Sequence, residues 1–257
     1  MATYLLNVDE PRRKARIFAL VRFFSELEHA RQFLDGDLFM RRLSYYRRQE
    51  DAEGRWDATE GVWTWLQKQG LEIELTVPRI GVANITERDL AAPVSMSLGE
   101  TDDLYIYCMY AYYVQEPLPG DDPEEIYGDD RLAELEAALH IDPRCLRLGP
   151  HAVVIPYGAF MESLKKTAIE QKLSLRADLV RYYDNEILNG QFQPKDVPFR
   201  KQKRFDYQRE YRISIRTLDR SPLPRTFNIG SLRELGRYVP SEQILKAFKL
   251  SPCDKAA

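Results

Sequence analysis

Apolar residues fall in short runs along this chain, and the spacing within each run predicts its element. "RIFALVRFF" (16 to 24) is a short, mostly apolar run and reads as a buried strand. In "SELEHARQFLDG", Leu27, Ala30, Phe33 and Leu34 recur at helical spacing, with Ser25 and Glu28 as a capping box and Gly36 as the stop. "DLFMRRLSYY" (37 to 46) predicts a second strand or turn, "EGVWTWLQKQG" (60 to 70) a helix closed by Gly70, and "LEIELTV" a strand.

"VSMSLGETDDLYIYCMYAYYV" (94 to 114) has two β-rich runs around a polar turn, which predicts a hairpin with a buried aromatic second arm. An acidic insertion is expected around 116 to 149, with a short helix over "RLAELEAALH". "HAVVIPY" reads as a strand and "GAFMESLKKTAIEQ" as a helix. Residues 179 to 215 read as strand, long turn, strand, and "TFNIGSLRELGRYVP" as a strand and a brief helix. Strands and helices mix without a steady βαβα rhythm, which predicts an α+β fold.

The chain has 257 residues, 44% hydrophobic and 30% charged, which fits one globular domain over 1–257. No apolar run approaches the roughly 20 residues that span a bilayer, and the first residues lack the pattern of a secretory signal. A cytoplasmic protein without a membrane partner is expected. Cys108, Cys145 and Cys253 form no CxxC, and His29, His140 and His151 have no ligand spacing, so no metal is expected. With a net charge of only -3, binding to a polyanion would need a local patch.

Several polar residues sit where a buried strand would place apolar ones. In "FDYQREYRISI" (205 to 215), strand alternation puts Gln208 and Glu210 on one face. Glu210 could stabilise a developing cation, or it could pair with Arg209 or Arg212. Ser95 and Ser97, in "VSMS", share a strand face and mark either a turn or a polar site wall. Arg22 is a cation within an apolar strand and needs a partner there: a phosphate, or a carboxylate such as Glu60 or Asp57. Tyr45 and Tyr46 could stack on a ring or join the core. "FRKQKR" (199 to 204) is a basic cluster beside Glu210; Arg200, Lys201, Lys203 and Arg204 could grip a nucleic acid or form a solvated hairpin face.

In chain order these residues are an Arg on an early strand, Ser-x-Ser on a middle strand and Gln-x-Glu at the start of a late one. That order resembles the signature of mono-ADP-ribosyltransferases related to bacterial toxins. The chain also looks like bacterial and phage proteins of the DUF2971 kind, through "FLDGDLFMRRLSYYRRQED", "RWDATEG", "LYIYCMYAYY" and "YQREYRISI". The resemblance implies a split, twisted antiparallel sheet with flanking helices and NAD as substrate. It makes Arg22 the binder of the NAD phosphates, Ser95 and Ser97 a brace for the pocket, Glu210 the catalytic carboxylate and Gln208 the residue facing the acceptor. Met96, between the two serines, departs from the Thr often found there.

The resemblance thus implies mono-ADP-ribosyl transfer from NAD to a macromolecule, by an intracellular toxin or anti-phage effector, with room for an antitoxin partner. Nucleic acid stands slightly ahead of protein as acceptor, because of the basic cluster. Two other functions compete: a non-catalytic nucleic-acid-binding module using "FRKQKR" and the tyrosines, and a metal-free nuclease built on Arg55, Asp57 and Glu60.

Overall fold

The computed structural model describes residues 14–48, 57–79, 81–115, 137, 140–219 and 221–245. The first half of the chain forms β1 (Ala15–Phe24), α1 (Leu27–Leu34), β2 (Asp37–Arg42), α2 (Leu43–Arg47), β3 (Val62–Leu66), β4 (Glu72–Val77), β5 (Gly81–Thr86), β6 (Val94–Ser97), α3 (Gly99–Asp102) and β7 (Tyr105–Gln115). Then come β8 (His151–Pro156), α4 (Tyr157–Glu170), β9 (Ser174–Leu179), β10 (Arg181–Tyr183), β11 (Gly190–Gln191), β12 (Arg200–Gln202), β13 (Glu210–Arg216), β14 (Arg225–Asn228), β15 (Arg237–Pro240) and α5 (Ser241–Ile244). The fold is α+β, with mostly antiparallel strand pairs and a parallel pair of β10 with β12.

Where the sequence suggests one domain, the contacts divide the chain into two compact units. The larger combines Pro11–Arg41, Tyr105–Val180 and Asp206–Ala257. It is built on a sheet in the order β14-β2-β7-β1-β8-β15, with β13 on β7 and β9 on β13. β1 is apolar on both faces because it is central, paired antiparallel with β7 and β8. Leu20 and Phe24 enter one core with Phe33 of α1, Phe160 and Leu164 of α4, and Tyr211, Ile213 and Ile215 of β13. Ala19, Val21 and Phe23 enter the other, with Tyr110, Tyr112, Ile141, Cys145 and Ile244.

The second unit comprises Arg42–Leu104 and Arg181–Phe205. It contains the three-stranded sheet β11-β3-β6, the pair β10-β12 and the hairpin β4-β5. Its apolar core is small: Val62, Trp65, Tyr183, Leu188, Phe192 and Val197.

Several elements form as expected: β1, α1, β4, β8 and α4. Gly36 does end α1, at φ 98°, where an added Cβ would lie 2.1 Å from the Gly230 carbonyl oxygen. The capping box does not form, because α1 starts one residue later, with Glu26 as N-cap and no side-chain cap. Residues 62–66 form a strand rather than a helix, since pairing with β6 and β11 suits the run Val-Trp-Thr-Trp. The runs at 94–97 and 105–115 are not a hairpin: β6 pairs with β3 and β7 with β1 and β13, and α3 lies between them. The brief helix expected near residue 232 is a turn. Most of the acidic insertion and its helix lie outside the described residues; its end is a 3₁₀ turn, Pro143–Leu148, capped by Asp142.

Candidate active site

The opening of β13 concentrates polar side chains. Residues 203–208 form a short 3₁₀ stretch, Arg209 is left-handed at φ 38°, and β13 begins at Glu210. Gln208 therefore precedes the strand, and strand alternation does not set its direction. It is buried, and its Nε2 donates to Tyr207 Oη at 3.3 Å.

Glu210 is buried with its ion partner two residues on. Arg212 Nε and Nη2 both approach Glu210 Oε1, at 2.8 and 2.7 Å, and the two side chains are 5% and 1% exposed. Two buried charges are tolerated because each helps to neutralise the other, so removing one charge of the pair is costly. The ladder places Glu210 opposite Tyr110 and Arg212 opposite Cys108. Directly opposed residues share a face, so the carboxylate lies on the side of Tyr110 and Tyr112. Those rings meet edge to face with centroids 5.3 Å apart, and burial pushes both phenols far up. Beside them, burial pushes the Cys145 thiol up to about 12, and its Sγ donates to the Tyr207 carbonyl at 3.4 Å.

Arg22 lies on the other face of this sheet. Val21, not Arg22, stands opposite Tyr110, which in turn stands opposite Glu210. Arg22 Nη1 donates to the Cys108 carbonyl at 2.5 Å, and the guanidinium lies 4.7 Å from the Tyr107 ring centroid and 5.9 Å from that of Phe24. This corrects the expectation that Arg22 and Glu210 look into one site. The partners that make a cation tolerable in an apolar strand include a backbone carbonyl and two rings.

The remaining expected residues belong to the smaller unit. Ser95 and Ser97 are exposed on β6, at the edge of its sheet, opposite Trp65 and Val62. Tyr45 and Tyr46 sit in α2 rather than at a strand end, half-buried and edge to face at 5.7 Å. The basic cluster is not one exposed patch. β12 pairs parallel with β10 and carries Arg200 and Lys201 into the interior, over Phe192 at 4.6 Å and Phe205 at 4.8 Å. Lys203 and Arg204 alone of the four are exposed.

Asp57 and Glu60 are also buried in this unit, and Arg55 lies outside the described residues. Asp57 Oδ1 accepts from Thr59 N at 2.9 Å and Thr59 Oγ1 at 2.6 Å, while Oδ2 accepts from Gln202 N at 3.4 Å. That carboxylate organises its own loop. No group of His, Cys, Asp and Glu that could hold a metal occurs among the described residues.

Sequence reasoning missed Tyr110, but it named Arg212 as one possible partner of Glu210, and the structure forms that pair in a buried setting. Tyr110 is hidden in an aromatic run that reads as core, although its hydroxyl is polar. Arg212 is separated from Glu210 by one residue, the spacing that puts two side chains on one strand face, and that signal was present. Comparison with protein-family models, curated proteins and solved structures finds no match for this chain.

Proposed function

We propose that this protein transfers ADP-ribose from NAD to a macromolecular acceptor, with Glu210 as the catalytic carboxylate of an ADP-ribosyltransferase-type fold. One observation carries the reading beyond the sequence resemblance: a buried carboxylate at the head of a central strand, held by Arg212 and facing polar aromatic side chains. Cleavage of the nicotinamide glycosidic bond develops positive charge on the ribose, and a fixed carboxylate stabilises that charge without reorganising. Enclosure limits competing water. Gln208, immediately before Glu210, is the residue assigned to the acceptor side.

Arg22 has no part in this site, since it occupies the other sheet face. The acceptor is a nucleic acid or a protein. Burial of Arg200 and Lys201 removes half of the basic cluster that favoured the former. An intracellular effector role follows from the family resemblance alone.

The test is incubation of the purified chain with labelled NAD and cell extract, then nuclease or protease digestion to find the polymer that keeps the label. Nicotinamide release with a labelled polymer is expected, both lost in folded Glu210→Gln. A wild-type chain that neither releases nicotinamide nor labels any polymer overturns the reading. So does a folded Glu210→Gln variant of undiminished activity.

A further inference from the structure

The hairpin of β4 and β5 is a two-stranded sheet to itself, and neither strand pairs with a third among the described residues. Its register divides the side chains by character. Ile73 stands opposite Ile85, Leu75 opposite Ala83 and Val77 opposite Gly81, so one side is apolar. Glu72, Glu74, Thr76, Val82, Asn84 and Thr86 make the other side. Leu75 is 49% exposed and Val82 60%. A lone two-stranded ribbon is marginal in water, and further strands are what give such an apolar side independent stability.

The ribbon is held at its base all the same. Gly70 N donates to Glu87 Oε2 at 2.7 Å, and Thr86 N and Oγ1 both donate to Asp89 Oδ2 at 2.8 Å. The backbone and side-chain bonds from Thr86 hold the Asp89 carboxyl below its usual range, so it is charged at neutral pH. Arg79 sits exposed at the opposite end, in the turn, at φ 69°. The hairpin thus has a cationic tip and, with Arg88 between Glu87 and Asp89, a base that is acidic on balance.

Charge also separates the two free edges. β4 carries Glu72 and Glu74, whereas β5 is Gly-Val-Ala-Asn-Ile-Thr and has no charge to discourage another strand. We infer that β5 is a docking edge for a second copy of this chain, with the two β5 strands paired antiparallel about a two-fold axis at Asn84. Three observations choose that occupant. Pairing β5 with its own copy brings no like charges together, while pairing β4 with its copy would crowd Glu72 and Glu74 against theirs. An axis at Asn84 sets Ala83 against Ile85 of the second copy and Val82 against Thr86, so each side of the ribbon continues across the boundary. Antiparallel pairing also carries the Arg79 tip of each hairpin to the Glu87 and Asp89 base of the other. The product is a four-stranded sheet, β4-β5-β5-β4, closed by its own symmetry.

Sedimentation equilibrium of the whole chain over a range of concentrations tests this, in wild type, Asn84→Lys, Asn84→Asp and an equal mixture of the two variants. The wild type should show a reversible monomer–dimer equilibrium. Each variant alone should weaken it at least about tenfold, because like charges then meet at the axis. The mixture should associate more tightly than either variant alone, because opposite charges meet there instead. Asn84 is exposed, so both variants should melt with the wild type at dilutions where all are monomers.

A wild type that stays monomeric at about 0.1 mM overturns the inference. A dimer that neither substitution weakens does so too, since its interface lies elsewhere. So does a mixture that associates no more tightly than its components, which would remove Asn84 from the axis.

Discussion

Arg22 and Glu210 lie on opposite faces of one antiparallel sheet, because Val21 rather than Arg22 is in register with Tyr110, the cross-strand neighbour of Glu210. One residue of register decides the matter, since neighbouring positions on a strand point to opposite sides. Arg22→Met should therefore cost stability and, if the proposed NAD chemistry holds, spare NAD binding. Loss of the ring contacts and the bond to the Cys108 carbonyl predicts about 1–3 kcal/mol. Thermal melting with and without NAD measures both effects. A folded variant with no NAD-induced shift would return Arg22 to the nucleotide site.

The Glu210–Arg212 pair changes what a substitution at the proposed catalytic position does to the fold. Glu210→Gln keeps the shape of the side chain but removes the charge of a buried ion pair, at up to about 3–5 kcal/mol. Glu210→Gln combined with Arg212→Met should recover much of that loss while remaining inactive. A urea-unfolding double-mutant cycle reads the coupling, and a coupling within about 0.5 kcal/mol of zero would mean that the pair adds nothing.

The four cations of "FRKQKR" should separate into two pairs. Replacing buried Arg200 and Lys201 by Gln should lower the melting point, while Lys203→Gln with Arg204→Gln should stay within about 0.5 kcal/mol of wild type. If a single-stranded nucleic acid binds here, the exposed pair contributes a log-log salt slope of at most about 1.4, or roughly 0.7 for each contact. A steeper loss of slope in that double variant would contradict the burial of the other two.

Cys145 predicts a loss of stability in alkali. Its thiol stays protonated in the folded chain until about 12, against an ordinary value of 9.0, because burial disfavours the thiolate. The unfolded chain thus releases this proton first, so the contribution is complete below pH 9 and is lost as pH rises through the folded value. Melting from pH 8 upward should fall less steeply in Cys145→Ala than in wild type; parallel curves would show that Cys145 has no share in the effect.

Elements whose signal is local were legible in the sequence. β1 declares itself as an apolar run, interrupted by Arg22, because both faces of a central strand are covered, and α4 through Phe160, Met161, Leu164, Thr167 and Ala168 at helical spacing. Glycine at 36 marks the end of α1 because few other residues accept its backbone angle. Glu210 was also visible as a carboxylate at the head of a strand, and the structure shows it buried there.

Partnership between distant segments was decided by the tertiary structure alone. Residues 62–66 became a strand through ladders to residues 94–97 and 190–191, contacts that no local window contains. Arg200 and Lys201 look like a solvated run until pairing with residues 181–182 carries them inward. The face given to Arg22, the cross-strand meeting of Glu210 with Tyr110, and the left-handed turn at Arg209 all depend on register and chain reversal. Composition and periodicity show which residues want burial, but the ladders determine which of them meet.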